Sequence, residues 1–221
     1  MTRATGPYPE KIWLYLHFPL LPLDALLDDS KIEDDRQIPT AVVGQEKNAM
    51  RILCCNDSAK KSGVEPLLSL STALALCPDL LTLQQQPERE QTTLQQLALI
   101  AYSFSPVVII AEQGLWLELS GCEKLFRSYR QLLQQLQKKL SHRCAHIDMG
   151  IAGSADAARL LCQTGFRCEL PERAEVEQQL RLTPLSLLNI QRRQQQSFKQ
   201  LGLTCLEDLL VLSRAELASR F

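Results

Sequence analysis

What the chain lacks narrows its class first. No apolar run is long enough to cross a membrane: the stretches 12–16 and 20–27 are interrupted by His17, Pro19, Pro22 and Asp24, well short of the roughly 20 residues a spanning helix needs. The N-terminus has no basic stretch leading into an uninterrupted apolar segment and a small-residue cleavage site, so a secretory leader is not expected. A cytoplasmic location without membrane contact follows as the expectation. An excess of charge is missing too. The 24 Lys and Arg are matched by 25 Asp and Glu, for a net charge of −1. Because nucleic-acid binders draw affinity from basic residues that neutralise phosphates, any such binding by this chain should be weak. Paired cysteines are also absent. The eight cysteines (Cys54, Cys55, Cys77, Cys122, Cys144, Cys162, Cys168, Cys205) are scattered, with no Cys-x2-Cys pair of the kind a zinc site uses. A chain of this length does not need disulfide staples, so they read as reduced thiols. Cys54 and Cys55, being adjacent, should point to opposite faces of a strand.

What is present is a normal globular composition, 45% hydrophobic in 221 residues, enough for a real core. Residues 1–10 read as a loose leader, and 12–16 as a strand buried on both faces that ends at Pro19. After an acidic stretch at 28–36, residues 40–43 and 51–55 look like paired strands joined by a polar turn over 44–48. Asn56 then caps a short helix that ends at Gly63, and 69–76 is a second helix stopped by Pro78. Leu94, Leu97, Ala98 and Ala101 recur at three and four, marking an amphipathic helix over 88–102. Residues 107–110 and 115–119 are strand-like, with Glu112, Gln113 and Gly114 at a hairpin turn. A single helix is expected over 124–140, carrying Leu125, Tyr129, Leu132, Leu133, Leu136 and Leu140 on one stripe and a solvated Gln/Lys face opposite. A strand over 147–152 leads into a helix over 154–161. Residues 171–179 read as a polar linker, and 185–221 as short helices with a turn at Gly202. The chain stops straight after a helix without a cap, which suggests a piece of a longer protein. The order is α+β, a split ferredoxin-like sheet with an inserted small subdomain and helices on one face, followed by a helical segment.

Three stretches carry a more specific signal. Arg51-Ile-Leu-Cys-Cys-Asn-Asp-Ser-Ala-Lys-Lys-Ser-Gly-Val64 is followed by Leu74-Ala-Leu-Cys-Pro-Asp-Leu80; Tyr102-Ser-Phe-Ser-Pro106 leads to Leu115-Trp-Leu-Glu-Leu-Ser-Gly121; and Gly150-Ile-Ala152 precedes a helix. In this order they resemble the Y-family translesion DNA polymerases, the DinB and UmuC group, and within it the ImuB-type members. The resemblance implies a first palm strand at 11–18, fingers at 19–88, palm at 89–170 and an incomplete, helix-hairpin-helix-like thumb at 171–221.

The resemblance also implies what has been lost. Active members end the first strand in Asp-x-Asp, and here Leu16 and Phe18 stand at the matching positions. Their second acidic motif, Ser-x-Asp-Glu, corresponds to Ala111-Glu-Gln-Gly114, so Gln113 and Gly114 replace its acidic pair. Two-metal phosphoryl transfer needs oxygen ligands for hard Mg²⁺, and Leu and Phe offer none. No catalytic residue, metal or cofactor is therefore expected. Glu112 is the best substitute ligand, but its turn setting favours an ordinary surface carboxylate over a relocated ligand. Asp57 and Lys60 replace the Tyr and Arg that meet the incoming triphosphate. Lys60, Lys61 and Arg159 could still meet phosphate. In the thumb, Asn189-Ile190-Gln191 falls where the family has a Gly-x-Gly turn, and Asn189, Arg192, Arg193 and Lys199 are candidate DNA contacts. Solvated helix faces explain these residues equally well. The implied role is a non-catalytic adaptor in translesion synthesis. Its implied partners are damaged or primer-template DNA, a sliding clamp, a RecA-like accessory protein and an error-prone replicative-type polymerase. Two alternatives stay open: an active translesion polymerase with relocated ligands, and an unrelated α/β binding module.

Overall fold

The computed structural model describes residues 11–27, 37–46, 49–166, 173–188, 190–213 and 215. Strand β1 (Trp13–His17) runs into a single helical turn, α1 (Leu21–Asp24), with Pro22 near its start, where the missing N–H costs nothing. An excursion follows: β2 (Thr40–Glu46), β3 (Ala49–Cys55), α2 (Asp57–Lys61), α3 (Leu70–Leu76) and β4 (Leu81–Gln84). Helix α4 (Pro87–Ala101) returns to β5 (Val107–Ile110) and β6 (Gly114–Glu118). Then come α5 (Glu123–Phe126), α6 (Tyr129–Leu140), β7 (Asp148–Ala152) and α7 (Ala155–Gln163). The chain continues through α8 (Arg173–Arg181), a 3₁₀ turn at Leu185–Leu187, α9 (Arg192–Gln200) and α10 (Leu206–Leu210).

The larger sheet has the order β5-β6-β1-β7, antiparallel throughout. With the excursion set aside, the succession β1, α4, β5, β6, α6, β7 in that order is the expected split ferredoxin-like arrangement. Each of its two crossovers links strands that run the same way, and right-handed crossovers place α4 and α6 on one face. Leu14 and Leu16 of β1, Leu115 and Leu117 of β6, Leu94 and Leu97 of α4, and Leu132 and Leu136 of α6 form the main core there. The opposite face is not left bare, contrary to the one-sided expectation. Helix α7 crosses it, packing Ala158, Leu161 and Cys162 onto Tyr15 and Ala152. The approach is close enough that a Cβ on Gly150 would lie 2.2 Å from the Ala158 carbonyl oxygen.

The smaller sheet has the order β3-β2-β4. Asn56 anchors it: its side-chain oxygen accepts from Ala59 N as the cap of α2 and from Thr40 N at the start of β2, while its amide donates to the Ile38 carbonyl. Strand β3 is covered differently on its two faces, with Cys55 in one apolar cluster and Cys54 in another. The alternation expected of adjacent cysteines is present. Helix α1 joins the two sheets, because Leu21 belongs to the main core and Leu23 packs with Val42 and Cys54 of the smaller sheet.

Four local expectations are corrected. Strands β2 and β3 extend to Glu46 and from Ala49, so the turn is shorter than 44–48. The single helix over 124–140 is two: Arg127 takes φ +65°, Ser128 caps a new start by accepting from Gln131 N, and Leu125 is 82% exposed rather than on the core stripe. The stretch read as a linker contains helix α8. Strand β4, not foreseen, pairs in parallel with β2. Cys168, Asn189 and the loose leader at 1–10 lie outside the described residues.

Candidate functional site

The free end of the β1-β6 pair and its flank beneath α7 hold the polar groups of the larger sheet's second face. Side chains alternate across a strand, so Leu14 and Leu16 enter the core while Tyr15 points the other way. Tyr15 is 6% exposed, its ring centroid 5.0 Å from that of Trp116. Burial pushes the Tyr15 hydroxyl above its ordinary value; nearby Cys162 and Glu112 add to this and the Arg159 guanidinium opposes it. His17 closes the strand. Its Nδ1 lies 3.2 Å from the Gln113 carbonyl oxygen, and in register it stands between Gly114 on β6 and Asp148 on β7. Asp148 in turn meets His146 Nε2 at 3.0 Å. Cys162 sits behind this group, its thiol pushed up to about 12, chiefly by burial and then by Asp148.

Gly114 leaves no room for a side chain. A Cβ there would fall 2.3 Å from the Leu16 carbonyl oxygen and 2.7 Å from the Tyr15 hydroxyl. Gln113 and Glu112 are exposed in the turn between β5 and β6, where Gln113 uses its carbonyl to accept from Phe18 N at 2.9 Å. The turn setting expected for Glu112 is observed. Leu16 and Phe18, in contrast, do not line this face. Both are 0% exposed within the main core, because the pleat that turns Tyr15 outward turns Leu16 inward. The outward residues at the strand end are Tyr15 and His17. Among the described residues, no three His, Cys, Asp or Glu side chains stand together as a metal-holding group.

The remaining candidates are spread over separate elements. Lys60 is exposed and pairs with Asp57 of its own helix at 3.3 Å; Lys61 is exposed beside it. Asn56, Asp57 and Lys60 line one side of a cleft of about 120 Å³, with Leu23 and Asp24 of α1 and Ala145 and His146 on the other. Arg159 is half-buried on α7 with its Nε buried and unpartnered. It lies within electrostatic reach of the Tyr15 hydroxyl. Arg192, Arg193 and Lys199 are exposed on α9, whose start is capped by Gln191 in a reciprocal pair with Gln194. Sequence reasoning missed Tyr15, His17, Asp148 and Cys162. Residues 13–16 are all apolar or aromatic, so no polar alternation told one face of β1 from the other.

Comparison with known proteins agrees with this architecture. The family described as impB/mucB/samB matches residues 28–163. Protein ImuB of Caulobacter vibrioides (strain NA1000 / CB15N) is 29% identical over 160 residues, which cover 72% of this chain and 35% of that protein. A DNA polymerase IV of Dehalococcoides mccartyi (strain CBDB1) is 25% identical over 189 residues, 82% of this chain and 48% of the relative. The chain thus spans about a third to a half of these relatives' length. Among solved structures, an insertion ternary complex of Dbh DNA polymerase superposes with a TM-score of 0.75 at 14% identity, covering 94% of this chain and 62% of the other. DinB from Sulfolobus solfataricus does so with a TM-score of 0.72 at 13% identity, covering 95% and 62%. At such identities the structural likeness speaks for the fold.

Proposed function

The chain belongs to the impB/mucB/samB family, and we propose that it serves as a non-catalytic, polymerase-shaped adaptor in bacterial translesion synthesis and damage-induced mutagenesis. The observation that carries this reading is the set of groups at the end of β1. Hard Mg²⁺ is held by carboxylate oxygens, and two-metal phosphoryl transfer needs several of them converging on one spot. Here the converging groups are the His17 imidazole, the Gln113 main chain and a glycine that a Tyr15 hydroxyl overhangs, with Asp148 opposite His17 and paired with His146. This donor set does not fit a two-ion magnesium site. We read the degenerate positions of the first strand as its outward end at His17, with Gln113 and Gly114 as those of the second motif.

On the same reading, residues 11–18 are the first palm strand, 19–88 the fingers, 89–170 the palm and 171–221 the start of a thumb. DNA is the partner that the family resemblance supports. A sliding clamp, a RecA-like accessory protein and an error-prone replicative-type polymerase are further partners of the proposal. Primer extension with purified protein, a primed template and Mg²⁺ or Mn²⁺ tests it: no nucleotide incorporation is expected, and template-directed extension would overturn the adaptor role. One observation favours a second reading, an active polymerase with relocated ligands: Glu112 and Asp148 both lie near the end of β1, Glu112 within electrostatic reach of Tyr15. Extension abolished by Glu112→Gln would establish it.

A further inference from the structure

The back of the larger sheet carries a concentration of positive charge that the degenerate site does not use. Between Glu123 and Arg143 the chain holds six cations, Lys124, Arg127, Arg130, Lys138, Lys139 and Arg143, against one acid, Glu123. In a chain of net charge −1, this segment is a local excess, with the compensating acids placed elsewhere. The first five cations are exposed and Arg143 is half-buried. Glu123 offsets only one of the six: its carboxylate accepts from the Tyr129 hydroxyl, which together with the Lys124 charge holds it below the usual carboxylate range. A solvated surface helix generally mixes Glu and Lys at i,i+4, yet no acid occurs from Lys124 through Arg143. The inward stripe of α6, Leu132, Leu133, Leu136 and Leu140, is buried in the main core. Its charged face therefore looks away from the sheet, on the side opposite Tyr15 and Arg159.

Three features select the ligand. First, the outward face of α6 combines its cations with Gln131, Gln134, Gln135 and Gln137, all exposed, and Arg, Lys and Gln are side chains that reach phosphate oxygens. Second, α6 exposes no leucine, and its Tyr129 is half-buried. Within the ridge itself Leu125 on α5 is the one exposed apolar side chain, so a cluster of the apolar and aromatic anchors that give a protein–protein interface its affinity is missing there. Third, single strands are gripped by stacking bases on exposed aromatic rings, and the α5-α6 ridge itself presents none, Phe126 and Tyr129 being half-buried. From Arg130 to Lys139 the ridge runs about 13 Å at 1.5 Å per residue, while duplex DNA carries one charge per about 1.7 Å of axis. We propose that the α5-α6 ridge is a second, sequence-independent contact for the backbone of duplex DNA, on the opposite side of the sheet from the polymerase-like site. This rests on the reading of the chain as a DNA-acting protein and is independent of whether it polymerises.

The test is fluorescence anisotropy of the full chain with a labelled duplex and the matching single strand across a salt series. The ridge variant is Lys124→Glu/Arg127→Glu/Lys138→Glu, which leaves Arg130 and its contacts in place; the site variant is Lys60→Ala/Arg159→Ala. Circular dichroism checks that both are folded. The parent should bind duplex more tightly than single strand. The ridge variant should bind duplex at least tenfold more weakly, with the slope of log K against log salt reduced by about 2.7, at 0.9 for each of three lost phosphate contacts. The site variant should lower the slope by no more than about 1.8, at 0.9 for each of two lost contacts, and its loss should add to that of the ridge variant. Unchanged duplex binding by the ridge variant, or loss confined to the site variant, would overturn the ridge while leaving the DNA-acting role standing. Equal or tighter binding of the single strand would overturn the duplex assignment, and a ridge that held polyglutamate but no DNA would make it a protein-docking surface. Primer extension addresses the adaptor role separately, so the two readings fail by different measurements.

Discussion

At the scale of the residue, the end of β1 shows how one position of register changes a chemical argument. A slip by one residue moves every side chain of a strand to the other face. Leu16 and Phe18 lie at 0% exposure in the main core, and His17 faces outward. Leu16→Asp should therefore fail to restore a metal ligand and instead bury an unpaired carboxylate. We expect no cooperative melt for it by circular dichroism, whereas Leu16→Ala should fold with a loss of about 3 kcal/mol. His17→Asp should fold within about 1 kcal/mol of the parent, the cost arising from a second carboxylate opposite Asp148. Were Leu16→Asp the better tolerated, the facing of β1 would be wrong. The sequence made the strand legible and its facing illegible, since Trp13, Leu14, Tyr15 and Leu16 supply no polar period. Gln113 and Gly114 were legible as turn residues; what Gly114 is for was not, because the Tyr15 hydroxyl that fills its place comes from a distant strand.

At the scale of the element, the strands and helices with a dense apolar pattern, β5, β6, α4 and β7, were readable, and the failures share a cause. The leucine period runs through Arg127 without interruption, yet the chain breaks there into a positive φ that only tertiary fit decides. Helix α8 is so polar that composition alone resembles a linker, and β4 spans only four residues. Since a left-handed backbone costs an L-residue about 1 kcal/mol that glycine avoids, Arg127→Gly should raise the urea-unfolding free energy by about that amount. A fall would mean that the Arg127 side chain holds the α5-α6 break in place. Helix α10 offers a pH test. Asp208 accepts from the main-chain N–H groups of Thr204 and Cys205, which lower its carboxyl from 3.8 to about 2. A depressed folded value means that the cap is fully present above the unfolded value and is lost as pH falls through about 2. The Thr204 and Cys205 amide resonances should shift across that window in the parent and stay still in Asp208→Asn.

At the scale of the whole molecule, α1 ties two sheets that each have their own core. Leu21 lies in the main cluster and Leu23, two residues on, in the cluster of the smaller sheet; Asp24 accepts from Ala145 N in the segment before β7. The two sheets should accordingly unfold together in urea. Leu23→Ala should cost about 2–4 kcal/mol and let the β2 and β3 amides exchange hydrogen well before those of β1, while matched exchange in the variant would show the coupling to run elsewhere. The overall order of elements was legible from the sequence, but this coupling was not, because α1 is a single turn whose two leucines look alike until the sheets are in place. The strand order has a practical consequence for dividing the chain. The family match begins at residue 28, yet β1 sits between β6 and β7 with a partner on each side. A truncation made at that boundary would remove the middle of the sheet and leave two facing edges with unpaired main-chain groups. Such a protein should be a vacant receptor for its own missing strand, and a synthetic peptide of residues 11–20 supplied in trans would turn the truncation into a two-piece complementation system.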